Sequence, residues 1–381
     1  MQRHDLLIVG AGPVGLALAL FLKDSGLDVV LADARPRDAA AADPRTLALA
    51  HGSQLTLAKL GVWEGLATTP IKTIHISQQG SFGRSVLRAA DYDIPALGHV
   101  VTAGALAGAL RRKVDAAGIP VLDETEVTHL APGTQDIVAS LDGPRVATLS
   151  ARLAACAEGG LSANDDDSVE HDYHQHALIA HVGAAGGHHD TAFERFTRSG
   201  PAALLPCGRG FAVVHVVPSG DADALLALGD NTYLDHLQGI FGHRVRLDGI
   251  VERLRYPLAL RYRRTPVGHR TVWLGNAAQT MHPVAGQGFN LALRDVHDLA
   301  DHLILSGGDP GDPALLSSYA NGRGLDRLGT IRFTDGLVRL FSNDIAPLRH
   351  ARGAGLFALD LCPPLRHFVA KRMLFGARAW P

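Results

Sequence analysis

The chain has 381 residues, enough for two domains at roughly 100–200 residues each, and its 46% hydrophobic and 19% charged content excludes a disordered or low-complexity polymer. With 36 Lys and Arg against 38 Asp and Glu, a net charge of −2 excludes the broad positive field that gathers nucleic acid onto a whole molecule. The three cysteines, Cys156, Cys207 and Cys362, are far apart, which argues against a disulfide framework or a zinc ribbon and fits a reducing cytoplasm.

At the N-terminus, Leu6, Leu7, Ile8 and Val9 form an apolar run of strand length, followed by a glycine turn and a helix predicted over 16–23. No small-residue cleavage site follows. Gly10, Gly12, Pro13 and Gly15 interrupt the apolar stretch 6–22, and a spanning helix needs about 20 unbroken apolar residues, so no transmembrane segment is expected. A second strand over 28–32 completes a β-turn-α-β unit, the start of a doubly wound parallel sheet. Residues 45–60 read as a helix stopped by Gly61, and 104–117 as another stopped by Gly118.

Alternating stretches over 71–98 and 177–260 predict antiparallel strands of a second domain inserted between pieces of the first. Residues 164–176, with Asp165, Asp166 and Asp167 in a row, read as a solvated loop. From Thr271 a strand, a glycine-rich turn and a helix recur, and the tail from about Gly324 reads as helical.

Gly10-Ala11-Gly12-Pro13-Val14-Gly15 fits G-x-G-x-x-G, directly after a strand and before a helix. The first glycine permits the tight turn, the second lets a pyrophosphate approach the backbone, and the third lets helix and strand pack closely. Asp33 ends the second strand, where a carboxylate can accept hydrogen bonds from both ribose hydroxyls and would repel a 2′-phosphate. The loop predicts dinucleotide binding without distinguishing NAD from FAD.

The most specific stretch runs from Trp273 to Asp295 and includes Gly275, Asn276, Gln279, His282, Pro283, Gly286, Gln287, Gly288, Phe289 and Asn290. It resembles the ribityl-binding segment of class A flavoprotein aromatic hydroxylases, with Gly286 and Gly288 freeing the amides of a helix N-terminus to face the flavin. Within that group it is similar to the ubiquinone-biosynthesis hydroxylases, in particular the branch acting on an octaprenyl-methoxyphenol. The similarity extends to Gly61-Val62-Trp63, Asp91-Tyr92, Ala192-Phe193-Glu194-Arg195-Phe196-Thr197, Leu204-Leu205-Pro206, Tyr256-Pro257-Leu258 and Leu337-Val338-Arg339-Leu340-Phe341.

The resemblance implies an α/β fold: a Rossmann-like FAD-binding domain over 1–70, 99–168 and 266–330, an interleaved antiparallel-sheet substrate domain over 71–98 and 169–265, and a helical C-terminal segment over 331–381. It places Gly10, Gly12, Pro13, Val14, Gly15 and Asp33 on the ADP half of FAD, with Arg45 reaching the cofactor and Val127 meeting the adenine. Asn276 would bond the ribityl chain, and Pro283, Gly286, Gln287, Gly288, Phe289 and Asn290 would lie against the isoalloxazine. The family's Ala-Asp-Gly-x-x-Ser segment reads Ala157-Glu158-Gly159-Gly160-Leu161-Ser162 here, so Glu158 stands in the position that contacts FAD and the nicotinamide donor.

The implied activity is monooxygenation of the phenol ring of a polyprenylated ubiquinone precursor, with NAD(P)H as transient donor and O2 activated as a hydroperoxyflavin. Alternatives are a flavin dehydrogenase or prenyl reductase of the same fold, or a FAD-binding scaffold subunit of a ubiquinone-biosynthesis complex. Other ubiquinone-biosynthesis proteins would be its partners.

Two further readings come from the residues. His171, His174, His176, His181, His188 and His189 crowd together, but their spacing matches no helix-borne zinc motif, so no metal is expected. His282 abuts the flavin segment and is either a polar contact for a phenol or a residue fixing the turn. No Ser-His-Asp constellation can be placed. In the tail, Arg349, Arg352, Arg366, Lys371, Arg372 and Arg378 outnumber Asp344 and Asp360 among apolar residues. That pattern suits either a helical cap on the core or a cytoplasmic protein peripheral at the inner membrane face.

Overall fold

The computed structural model describes residues 3–80, 82–144, 147–161, 167–341 and 346–376. The strand Arg3–Val9 lies between Thr148–Cys156 and Val29–Ala32, parallel to both, and the parallel order continues to Val121–Leu122 on one side and Thr271–Trp273 on the other. Nearly every residue of these central strands is buried, the pattern of a sheet covered on both faces. On one face pack the helices Pro13–Leu22, Ala103–Ala116 and Gln287–Ser306, joined through Leu16, Leu18, Leu106, Leu110, Val296 and Leu299. On the other, the antiparallel strands Glu126–Pro132 and Ile137–Asp142 fold back from Thr148–Cys156 over Leu7, Val9 and Val30.

A second sheet holds, in order, Gln279–Thr280, Leu247–Arg263, Ser168–Ala184, Gly210–Pro218, Pro201–Cys207, Thr191–Phe196, Thr73–Gln78 and Arg84–Arg88. All of its pairings are antiparallel except that of Thr191–Phe196 with Thr73–Gln78, which run parallel. One face buries Leu178, Leu204, Phe211 and Val213 against the helix Asp230–Phe241, an element with no counterpart in the strands expected over 177–260. A third sheet joins Thr46–Ala50, Gly98–Thr102 and Thr69–Ile71.

Two elements differ from expectation. Residues 45–60 are not one helix: Thr46–Ala50 is a strand paired with Gly98–Thr102, and only His51–Lys59 is helical. The Leu47 and Leu49 spacing is the two-residue period of a strand, and pairing with Gly98–Thr102 fixes Thr46–Ala50 as one. Residues 164–176 are not a loop where described, because Ser168–Ala184 is one long strand whose polar first half pairs with the end of Leu247–Arg263, from Pro257 to Arg263. The stretch from Ser168 to His176 is mostly polar on both faces, so it carries little hydrophobic signal of its own.

The tail is helical and begins earlier than expected, in Pro313–Phe341, Ala346–Leu361 and Pro363–Phe375. No helix among the described residues is long and apolar enough to cross a membrane.

Candidate active site

The first glycine loop closes as its spacing demands. Gly10 takes φ +102° and its amide donates to the Ala32 carbonyl at 2.7 Å, turning the chain off its strand. A β-carbon at Gly15 would stand 2.0 Å from the Gly10 carbonyl oxygen, so only glycine lets the helix begin there. At Gly12 the nearest atom to a β-carbon would be an Arg35 guanidinium nitrogen 3.9 Å away. Steric packing within the chain therefore does not require glycine at position 12, whereas a ligand resting on this backbone would. Gly12 caps the helix Pro13–Leu22 without any side-chain cap, and Pro13 starts it, so its first amides keep free hydrogen-bonding capacity.

Asp33 is buried behind the loop. Its Oδ2 accepts from the Ala11 amide at 2.7 Å, and both oxygens accept from the Arg35 guanidinium at 2.8 and 2.9 Å. Burial alone would raise its pKa, but the bonds from Arg35 and Ala11 hold it below the usual carboxylate range. Its carboxylate thus braces the loop. Arg45 is turned onto Asp43 in a bidentate pair at 2.6 and 3.0 Å, and Val127 lies in Glu126–Pro132, paired with Leu141 and packed on the sheet.

The second glycine segment meets the first. Gly275, at φ +59°, lies so close to Val14 that a β-carbon there would stand 3.0 Å from Val14 Cγ2. Asn276 follows in a short 3-10 turn with an exposed side chain. Beneath this turn, Gln279 Nε2 donates to Asp295 at 2.8 Å, its Oε1 accepts from Arg327 at 2.7 Å, and Arg323 bridges Asp295, Asp298 and Asp326. The turn therefore rests on a buried, mutually satisfied ionic network.

Ala285 and Gly286 both adopt left-handed conformations, at φ +61° and +60°, and this reversal brings Gly286 against Ala48 directly before Gln287–Ser306 begins. That helix also lacks a side-chain N-cap, and a β-carbon on the exposed Gly288 would meet nothing within 4 Å. Two uncapped helix starts with open glycines fit the two ends of one dinucleotide. Glu158 follows the strand Thr148–Cys156, and a β-carbon on Gly10 would come within 2.9 Å of the Glu158 Cα. Burial raises the Glu158 pKa against the pull of Arg263. Ser162 lies outside the described residues.

Three side chains of the segment are engaged within the protein. Asn290 is 1% exposed and makes four hydrogen bonds, donating to the Ala48 and Gly286 carbonyls and accepting from the Ala50 amide and Ser53 hydroxyl. Phe289 packs on the core, and Gln287 is buried with its amide toward the Ala285 carbonyl at 3.3 Å. His282 is buried too: its Nδ1 accepts from the Val284 amide at 3.1 Å, its ring stands edge-on to Tyr173, and burial pushes its pKa down to about 4. It does not line the adjacent cavity.

That cavity, about 460 Å³, lies between the second sheet, the segment 283–286 and the C-terminal helices. Its walls are almost wholly apolar, with Ala192, Glu194 and Phe196 from one strand facing it. Sequence reasoning passed over Glu194, although a charged residue on the apolar face of an alternating strand was the available signal. Phe333 and Leu340 line it yet remain 40% and 42% exposed, so the cavity opens to the surface between them.

Of the histidine cluster, His188 is tied to the Gly208 carbonyl and the Asp190 amide. The one trio of described residues with metal-ligating atoms close together is elsewhere, at His297, Asp298 and Asp301. In the tail, Arg352 is buried and donates to the Phe341 carbonyl, while Asp344, Arg378 and the Arg349 side chain lie outside the described residues.

The chain matches the FAD binding domain family over residues 3–326. It is 34% identical to ubiquinone hydroxylase UbiL of Rhodospirillum rubrum, covering 99% of this chain and 91% of that protein. It is 28% identical to the 3-demethoxyubiquinol 3-hydroxylase of Escherichia coli, covering 98% and 99%. Among solved structures, p-nitrophenol 4-monooxygenase PnpA from Pseudomonas putida superposes with a TM-score of 0.81 at 16% identity, covering 99% of this chain and all of that one.

Proposed function

The chain belongs to the FAD binding domain family, among the aromatic-ring hydroxylases of ubiquinone biosynthesis, and from that premise we propose that it hydroxylates the phenol ring of a polyprenylated ubiquinone precursor with NADPH as electron donor. FAD bound there would supply the redox chemistry that passes two electrons from the donor to O2, with one oxygen atom entering the ring as hydroxyl and the other leaving as water.

The remaining work belongs to the residues. The Gly10–Gly15 loop and the helix start behind Gly12 offer backbone amides to the pyrophosphate, braced by Asp33. The turn at Asn276 would offer its amide side chain to the ribityl chain, and the uncapped start of Gln287–Ser306 would stabilise the negative charge that the flavin gains on reduction. Val284, Ala285 and Gly286 form a wall shared by this site and the apolar cavity, which supports placing the aromatic ring there.

The cavity carries the substrate reading: apolar, about 460 Å³, and open between Phe333 and Leu340, it suits a ring inside with an isoprenoid chain leading out. Its dry walls also keep water from the reacting oxygen. Exposed Phe357, Leu361, Leu365 and Phe368 on the last two helices support a peripheral membrane contact where such a chain would emerge.

The test is turnover with heavy-isotope oxygen gas, NADPH and a prenylated methoxyphenol. One labelled oxygen per product molecule is expected. Flavin oxidation with no label in the ring would contradict a hydroxylase of this substrate class and favour a dehydrogenase.

A further inference from the structure

We infer that Glu194 is the group that takes the proton from the phenol hydroxyl as the ring is oxygenated. The inference rests on the reading of the cavity as the phenol site.

Glu194 sits mid-strand in Thr191–Phe196, between Ile76 of Thr73–Gln78 and Ala203 of Pro201–Cys207. Strand alternation turns it with Ala192 and Phe196 into the cavity and turns Arg195 toward the opposite face, where Arg84 and Arg244 lie. Its carboxylate has no hydrogen bond or ion pair with any described residue. A half-buried acid that faces an apolar cavity with no partner is costly to ionise, and such a group is a candidate for contact with a ligand in that cavity.

The other ionisable side chain lining the cavity is Arg352, which donates to the Phe341 carbonyl at 3.1 Å and stands over the Phe341 ring. The strands beside Glu194 present Ile76 and Ala203, and the helix across the cavity presents Phe333, Leu337 and Phe341. Burial with no compensating charge pushes the Glu194 pKa up to about 8. A carboxylate so raised is a far better match to a phenol proton than an ordinary glutamate, and it ionises close to neutral pH.

The proton passes from the phenol oxygen to a Glu194 carboxylate oxygen. The electron pair of that O–H bond stays on the ring and raises electron density at the carbon that bonds the incoming oxygen. As the ring regains aromaticity, its displaced C–H proton goes to solvent and Glu194 returns its own proton to the phenol oxygen.

The test compares wild type, Glu194→Gln and Glu194→Leu, all loaded with FAD, using a singly prenylated methoxyphenol and its methyl ether. Gln keeps the size and a hydrogen-bonding amide but cannot take a proton. For Glu194→Gln, kcat should fall on the order of 100- to 10,000-fold with little change in KM, and the rise of kcat through pH 8 seen in wild type should vanish. In equilibrium binding, which needs no turnover, Leu should weaken the phenol and leave the methyl ether unchanged. Glu194→Gln turning over within a factor of two of wild type, or an unchanged pH profile, would overturn the assignment. A wild-type protein that hydroxylates no phenol would instead overturn the substrate reading beneath it.

Discussion

Gly275 and Val14 touch: a β-carbon on Gly275 would lie 3.0 Å from Val14 Cγ2, though the two are far apart in sequence. This contact fixes the distance between the two glycine segments and so the span of whatever they hold together. At φ +59°, Gly275→Ala adds backbone strain to the close approach. We expect a loss on the order of 1–3 kcal/mol in denaturant unfolding with weaker FAD retention, and partial recovery of both when Val14→Ala opens the space.

Asn290→Ala removes partners from the Ala48 and Gly286 carbonyls, the Ala50 amide and the Ser53 hydroxyl at once. Unpaired buried polar groups cost about 1–3 kcal/mol each before relaxation, so a total on the order of 3 kcal/mol is expected. Asn290→Asp should be no rescue, because its second oxygen would face two carbonyl acceptors. Urea melts of the two variants check both statements.

Acid should destabilise the protein through His282. Its folded pKa, about 4, is below the ordinary value of 6.5, so between these pH values the unfolded chain binds more protons and stability falls as pH falls. The full effect is on the order of 3 kcal/mol, present above pH 6.5 and lost by pH 4. His215, buried beside Tyr233 and depressed to about 3, acts in the same direction. In His282→Asn, whose side-chain oxygen can still accept from the Val284 amide, the slope of stability against pH should be shallower in that window.

Glu194 gives the opposite sign. Its folded pKa of about 8 exceeds the ordinary 4.5, so the cost of holding it begins above pH 4.5 and is complete above pH 8. Glu194→Gln should therefore raise Tm at pH 9, by the equivalent of at most about 5 kcal/mol, and leave it nearly unchanged at pH 4.5. An equal change at both pH values would show that the carboxylate is not shielded from water.

Much of the cofactor site was legible because glycine spacing encodes backbone approach. Gly15 and Gly12 could be assigned different duties from the sequence, and the structure separates them as a packing requirement and an open approach. The Ala and Leu content after Gly15 located Pro13–Leu22, and the glycine-rich turn after the strand at Thr271 located Gln287–Ser306. Thr46–Ala50 was not legible as a strand because its pairing partner, Gly98–Thr102, is remote in sequence. The inward role of Asn290 was hidden for the same reason: its partners Ala48, Ala50 and Ser53 come from that misread stretch. Glu194 was in view as part of a resemblance but carried no meaning until the cavity around it was known.

The account depends on one dinucleotide lying across both glycine segments, and Gly12 tests that most directly. Gly12 has unstrained backbone and room for a side chain, so Gly12→Val should fold and melt like wild type. Flavin content per chain, read from visible absorbance after purification with added FAD, should be near one for wild type and near zero for the variant. A correctly folded wild type that takes up no flavin, or a Gly12→Val protein that binds it equally well, would contradict the account.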